Sequence, residues 1–155
     1  MNKWFLYVLS LAFAVYWASN LLLWYPWSYS TTLGMTLMLT LSPVLWSYTV
    51  YLGLISYPEK NIMRSAVYIA LIFLLIAVVS DYLFFGLVRD ALEELYHPTT
   101  LYGYAFVIFL PFILSVFLRK KIESAKRVAR NKDFLNSFVV GSICFISLVM
   151  IILAE

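Results

Sequence analysis

One aspartate stands in the middle of an apolar stretch: Asp81, in the segment VVSDYLFFGLV. A carboxylate near a bilayer centre costs about 2.5–3.5 kcal/mol on insertion scales, and such groups usually face the bundle interior and mark ion, proton or ligand sites. Two chemistries follow from the residue type. Asp81 is either a proton or cation site or a ligand contact, or it is a structural acid, partly solvated or hydrogen-bonded to a neighbouring helix. Arg89 lies eight residues on, roughly 12 Å along a helix axis, too far for a direct pair.

Other reactive residues are sparse. His97 is the single histidine. Glu93 and Glu94 are near it, but Pro98 interrupts the helical spacing and no second histidine exists, so no metal and no cofactor is expected. A histidine there also suits a pH-responsive contact, because imidazole titrates near neutrality. Cys144 is the single cysteine. It has no partner for an internal disulfide or a CxxC pair and reads as a small packing residue. The sequence contains no GxSxG, HExxH, P-loop or GxGxxG pattern. Membrane-embedded enzymes need at least two converging groups, and Asp81 is the one acid deep in an apolar block. Enzymatic activity is therefore left open and disfavoured.

The elements that must position these residues follow from composition. Hydrophobic residues make up 64% of the 155 and charged residues 12%, against about 45–50% and about 25% in soluble domains. The apolar residues fall into five blocks, at about 4–24, 33–55, 65–88, 101–118 and 134–154. Each is long enough to cross roughly 30 Å of hydrocarbon, the fourth barely. Backbone polar groups in lipid must be satisfied within the segment, so the blocks must be helices. Strict alternation, the mark of barrel strands, is missing. The expected fold is an all-α integral membrane protein, one domain over 1–155. Lys3 followed by an apolar run resembles a signal peptide, but the run continues through Leu21, Leu22 and Leu23 and reads as an uncleaved anchor. There is no lipobox or prenylation cysteine.

Loop charge orients the bundle. With a cytoplasmic N-terminus, the inner side collects Lys3, then Lys60 and Arg64, then Arg119, Lys120, Lys121, Lys126, Arg127, Arg130 and Lys132; the outer side collects Arg89 alone. Ten of the eleven basic residues thus lie inside, as Lys and Arg bias requires. An odd number of spans puts the C-terminus, Glu155, outside. The loop 89–100 is acidic and outer, and Leu92, Leu95 and Tyr96 suit one face of a short interfacial helix. The loop 119–133 is basic and cytoplasmic. Trp24, Tyr25, Trp27 and Tyr29 mark the outer interface. Thr99 or Thr100 suits a cap for the fourth helix, and Asp133 one for the fifth.

Counting inward from the outer ends, Asn20, Thr36, Thr40, Asp81, Tyr104 and Ser147 all fall in the outer half. If they face inward they form a polar cup open to the outside, with Asp81 towards its floor. Asn20, Thr40, Asp81, Tyr104 and Ser147 are the candidate ligand or ion residues. Pro43 and Pro111 lie at matching depth, each depriving its helix of one backbone bond, and bent helices at midplane are a transporter feature. Ser10, Ala14 and Ala18, Thr49 with Gly53, and Ser137 with Gly141 form small-residue faces that admit close helix approach, within one bundle or between copies.

The segment RKKIESAKRVARNKD supplies a second set of candidates. Arg119, Lys120, Lys121, Lys126, Arg127 and Arg130 suit contact with anionic lipid, besides fixing topology. Ile122, Ala125, Val128 and Ala129 at helical spacing suggest that the fourth helix continues along the surface. The stretch is short and lacks interleaved aromatics, so nucleic acid is not an expected partner. The expected partners are the lipid bilayer and either a second copy or another membrane protein. The expected location is a cell membrane, crossed several times; size and topology resemble the small polytopic proteins of bacterial inner membranes, a likeness of format carried by no motif. Three functions remain: a non-enzymatic accessory or immunity-type protein acting through helix contacts, a small oligomeric transporter or channel using Asp81, and a lipid-modifying enzyme. The topology predicts that a membrane-impermeant thiol reagent added outside labels a Glu93→Cys variant and spares Lys120→Cys; the reverse pattern inverts the bundle.

Overall fold

A computed structural model of the chain describes residues 2–154, without the side chains of Asn2, Trp24 and Glu94. The Trp24 ring, the Glu94 carboxylate and the terminus at Glu155 therefore lie outside the described residues. Five helices are long and apolar enough to cross a membrane: Lys3–Tyr29, Thr31–Ile55, Ile62–Val88, Pro98–Phe117 and Asn131–Ala154. All regular structure among the described residues is helical.

Their boundaries extend beyond the apolar blocks because polar caps set them. Ser30, extended at φ −153°, accepts from the Leu33 amide and starts the second helix. Asn61 accepts from the Arg64 amide and starts the third. These side chains satisfy amides that the first turn leaves free. The fourth helix is capped by His97, whose Nδ1 accepts from the Thr99 amide, in place of the threonines expected there; Pro98 follows at the position where its missing N–H is harmless. Asp133 lies in the first turn of the fifth helix and accepts from the Arg130 amide.

The first connection is shorter than the sequence suggested. The first helix runs through a π-helical segment, Asn20–Trp24, and on over Tyr25–Tyr29 before breaking at Ser30. Gly34 makes the tight return possible: a β-carbon there would sit 2.6 Å from that of Trp27. The third helix likewise ends in a π-helical segment, Tyr82–Val88. The chain leaves it through Asp90 at φ 51°, a left-handed conformation that aspartate tolerates, and a short 3₁₀ turn, Leu92–Tyr96, follows.

The first helix is the hub. It packs on the second, third and fifth; the fourth packs on the second and third. Two indoles tie the first helix to the second: Trp4 Nε1 donates to the Gly53 carbonyl and Trp46 Nε1 to Ser19 Oγ, each at 2.9 Å. The fifth helix rests on the first almost alone. Gly141 seats it, because a β-carbon there would lie 2.5 Å from the Phe13 ring and 3.0 Å from the Ala14 backbone. Phe13 stacks on Phe138, and Trp17 meets Phe145 at 4.5 Å. Lipid is as apolar as leucine, so such fit, more than hydrophobicity, holds helices together.

The segment after the fourth helix does not continue along the surface as one helix. It breaks at Leu118, forms a short helix, Arg119–Ser124, and then runs without regular structure to Arg130. Ile122 and Ala129 are buried, but Val128 points outward. The Arg127 amide donates to the Ile55 carbonyl at 3.0 Å, which stitches this segment to the end of the second helix.

Gly141→Leu is expected to lower stability by about 1–3 kcal/mol, the usual range for overpacking, read as a lower unfolding temperature in detergent, whereas Ile143→Leu on the exposed face leaves it unchanged.

Candidate functional site: a carboxylate between two phenols

Asp81 is the last residue of the α-helical part of the third helix, at the point where the π-helical segment begins. Its side chain is buried, 8% exposed. Tyr16 Oη donates to Oδ1 at 2.5 Å and Tyr104 Oη donates to Oδ2 at 2.6 Å. Tyr16 comes from the first helix and Tyr104 from the fourth, so one carboxylate joins three helices.

Local structure explains the aim of each partner. Asn20, at the start of the first π-helical segment, turns its amide back to donate to the Tyr16 carbonyl at 3.1 Å. Two of the three helices thus change from α to π winding within one turn of the cluster. Such segments are frequent at functional sites because the extra residue re-aims the side chains around it. The wall is aromatic. Trp17 packs edge-on against Tyr16 at 4.9 Å and against Phe84 at 6.0 Å, and Phe84 is fully buried. Trp17 Nε1 is itself buried without a hydrogen-bond partner among the described residues. A dry surround of this kind strengthens the two phenol bonds and raises the cost of losing either.

The outer-half candidates divide. Tyr104 bonds Asp81 directly, and Asn20 acts one step away through Tyr16. Thr36 and Thr40 do not join them: both are exposed on the second helix, and their hydroxyls donate to the carbonyls of Thr32 and Thr36 in their own helix. Ser147 is half-exposed on the fifth helix beside buried Leu148 and makes no bond to Asp81. The inward-facing cup expected from depth alone is thus a three-residue cluster, closed by aromatics. Open clefts lie elsewhere, one around Arg127 and one along Thr32 and Leu39. Pro111 is buried in the fourth helix and Pro43 half-buried in the second. Tyr16 escaped the sequence reading; its signal was a phenol one helical turn from Asn20.

The basic candidates are largely engaged with protein. Arg119 pairs with Glu123 at 3.1 Å and Arg130 with Asp133 at 3.5 Å. Lys126 Nζ donates to the carbonyls of Tyr57 and Glu59, and burial pushes its ammonium below the ordinary lysine range, Glu123 opposing. Arg127 Nη2 donates to Tyr7 Oη at 2.8 Å, its guanidinium lying over the same ring. Lys121 sits over the Tyr51 ring, and Lys120 is exposed. At the other end, Arg89 lies over Phe85, and His97 Nδ1 shares a hydrogen bond with Thr99 Oγ1. No group of three metal-ligating side chains occurs among the described residues.

Compared with models of known families, with curated proteins and with solved structures, the chain matches none.

Tyr16→Phe and Tyr104→Phe are each expected to destabilise by about 0.6–1.7 kcal/mol, from the average to the largest value found for hydrogen bonds between membrane helices. In an Asp81→Asn background the same changes should matter less, and a double-mutant cycle in detergent reads the difference; strict additivity would show that the phenols do not act through the carboxylate.

Proposed function

We propose that this chain works without catalysis, through helix contacts in a cell membrane, as an accessory or immunity-type protein. The observation that carries this reading is the closure of Asp81. The one acid deep in an apolar block has both oxygens bonded to tyrosines of its own bundle and is 8% exposed. A group so engaged is poorly placed to act on a substrate. The orientation that fits is the one with the basic loops in the cytoplasm and the Tyr25–Tyr29 turn outside, as in a bacterial inner membrane.

The second helix offers the contact face. Met35, Met38, Leu39, Val44 and Tyr48 are exposed along it, with Thr36 and Thr40 between them, their hydroxyls already satisfied. Such a face admits another helix closely and leaves no bare polar group in lipid. A second copy of the chain or another membrane protein is the partner this face fits.

A transporter reading has one observation in its favour: the π-helical segments that begin beside Asp81 and just beyond Tyr16. It requires the Tyr16–Asp81–Tyr104 cluster to open.

Photo-crosslinking groups placed at Met38 are expected to capture a protein partner in native membranes, and the same groups at Ile146 of the fifth helix are not. Equal or absent capture at both sites, together with ion flux in proteoliposomes that Asp81→Asn abolishes, would favour the transporter.

A further inference from the structure

The end of the bundle that carries the basic loops holds a cleft of about 540 Å³, lined by Lys3, Trp4, Ser56, Pro58, Arg127 and Val128. Three separate stretches of chain build it: the start of the first helix, the turn after the second, and the segment that precedes the fifth. The charged side chains in its lining, Lys3 and Arg127, are both cations, and Asp133, within electrostatic reach of Arg127, lies outside the lining. The ion pairs of this end are Arg64 with Glu59, Arg119 with Glu123 and Arg130 with Asp133. Neither Lys3 nor Arg127 takes part in an ion pair among the described residues.

Arg127 is also held in place. Its amide is bonded to the Ile55 carbonyl and its guanidinium to the Tyr7 phenol, a neutral partner that leaves the charge unspent. Fixing a cation in advance removes ordering entropy from the binding step. The indole of Trp4 is fixed by its bond to the Gly53 carbonyl. Val128, 83% exposed, stands at the rim. Cationic groups beside a tryptophan and an outward-facing valine, at the level where helices enter the bilayer, match an amphiphile with an anionic head.

We propose that this cleft binds a phosphate group, with Lys3 and Arg127 as its cationic ligands, and that the group is carried by the headgroup of an anionic phospholipid. Free phosphate presents the same chemistry, so the test must separate the two sources. The full-length protein is purified in a neutral detergent, and its unfolding temperature is measured with added phosphatidylglycerol, phosphatidylcholine or inorganic phosphate. A ligand that binds the folded state raises that temperature.

The expected result is a rise with phosphatidylglycerol, little with phosphatidylcholine, and a phosphatidylglycerol response at least halved in Lys3→Gln. Lys132→Gln, an equal loss of charge on an exposed site outside the cleft and outside the lipid-contact candidates, should keep the full response. Lys3→Gln is the decisive variant because Lys3 makes no hydrogen bond or ion pair among the described residues, whereas Arg127→Gln also releases Tyr7. A rise with inorganic phosphate that Lys3→Gln removes supports the cleft and assigns it to the free anion. A phosphatidylglycerol response identical in Lys3→Gln and the parent, or one that phosphatidylcholine equals, overturns the proposal.

Discussion

A carboxylate surrounded by hydrocarbon has no water to turn to, so the protein must supply its hydrogen-bond donors. In this bundle the donors are two phenols, Tyr16 from the first helix and Tyr104 from the fourth. Much else is arranged around that requirement. The first and third helices both change winding beside the cluster. Trp17 and Phe84 seal it, and the fourth helix is set by His97 and Pro98 so that Tyr104 arrives opposite the free oxygen. The arrangement also sets a register. A helix that slid by one residue would turn its tyrosine about 100° away from the carboxylate. A single buried polar group of this kind penalises wrong packings more than it stabilises the right one.

The opposite end relies on a different device. Charged residues there are drawn onto backbone carbonyls and rings: Lys126 on Tyr57 and Glu59, Arg127 on Tyr7 and Ile55. This pins the segment between the fourth and fifth helices across the mouth of the bundle. The hydrogen bonds of this basic stretch close off helix ends that would otherwise carry bare carbonyls.

The helices were legible in the sequence because length and apolarity alone force them. Asp81 was legible because charge in such a block is costly. Its partners were only half legible. Tyr104 stood out through depth, whereas Tyr16 is one of twelve tyrosines, and nothing in a single sequence gives the azimuth that aims it at Asp81. Depth misled for Thr36 and Thr40, since a threonine in a helix can satisfy its hydroxyl on the carbonyl one turn back and then face lipid without penalty. The basic segment misled in the opposite sense. Its lysines and arginines read as solvated or lipid-facing, yet two of them bond groups 67 to 120 positions away. Helical spacing of Ile122, Ala125 and Val128 predicted a continuous helix that those distant bonds replace with an extended strap.

The fifth helix touches little but the first, and this has a consequence for how the chain is made. The two halves of that contact are the first and last of the five helices to leave the ribosome. Throughout synthesis of the second, third and fourth, the ledge formed by Phe13 and Ala14 stands bare in the membrane. The nascent protein therefore passes through a four-helix state with an open seat, and the fifth helix must compete for it with any neighbouring helix small enough at the crossing point to fit where Gly141 belongs.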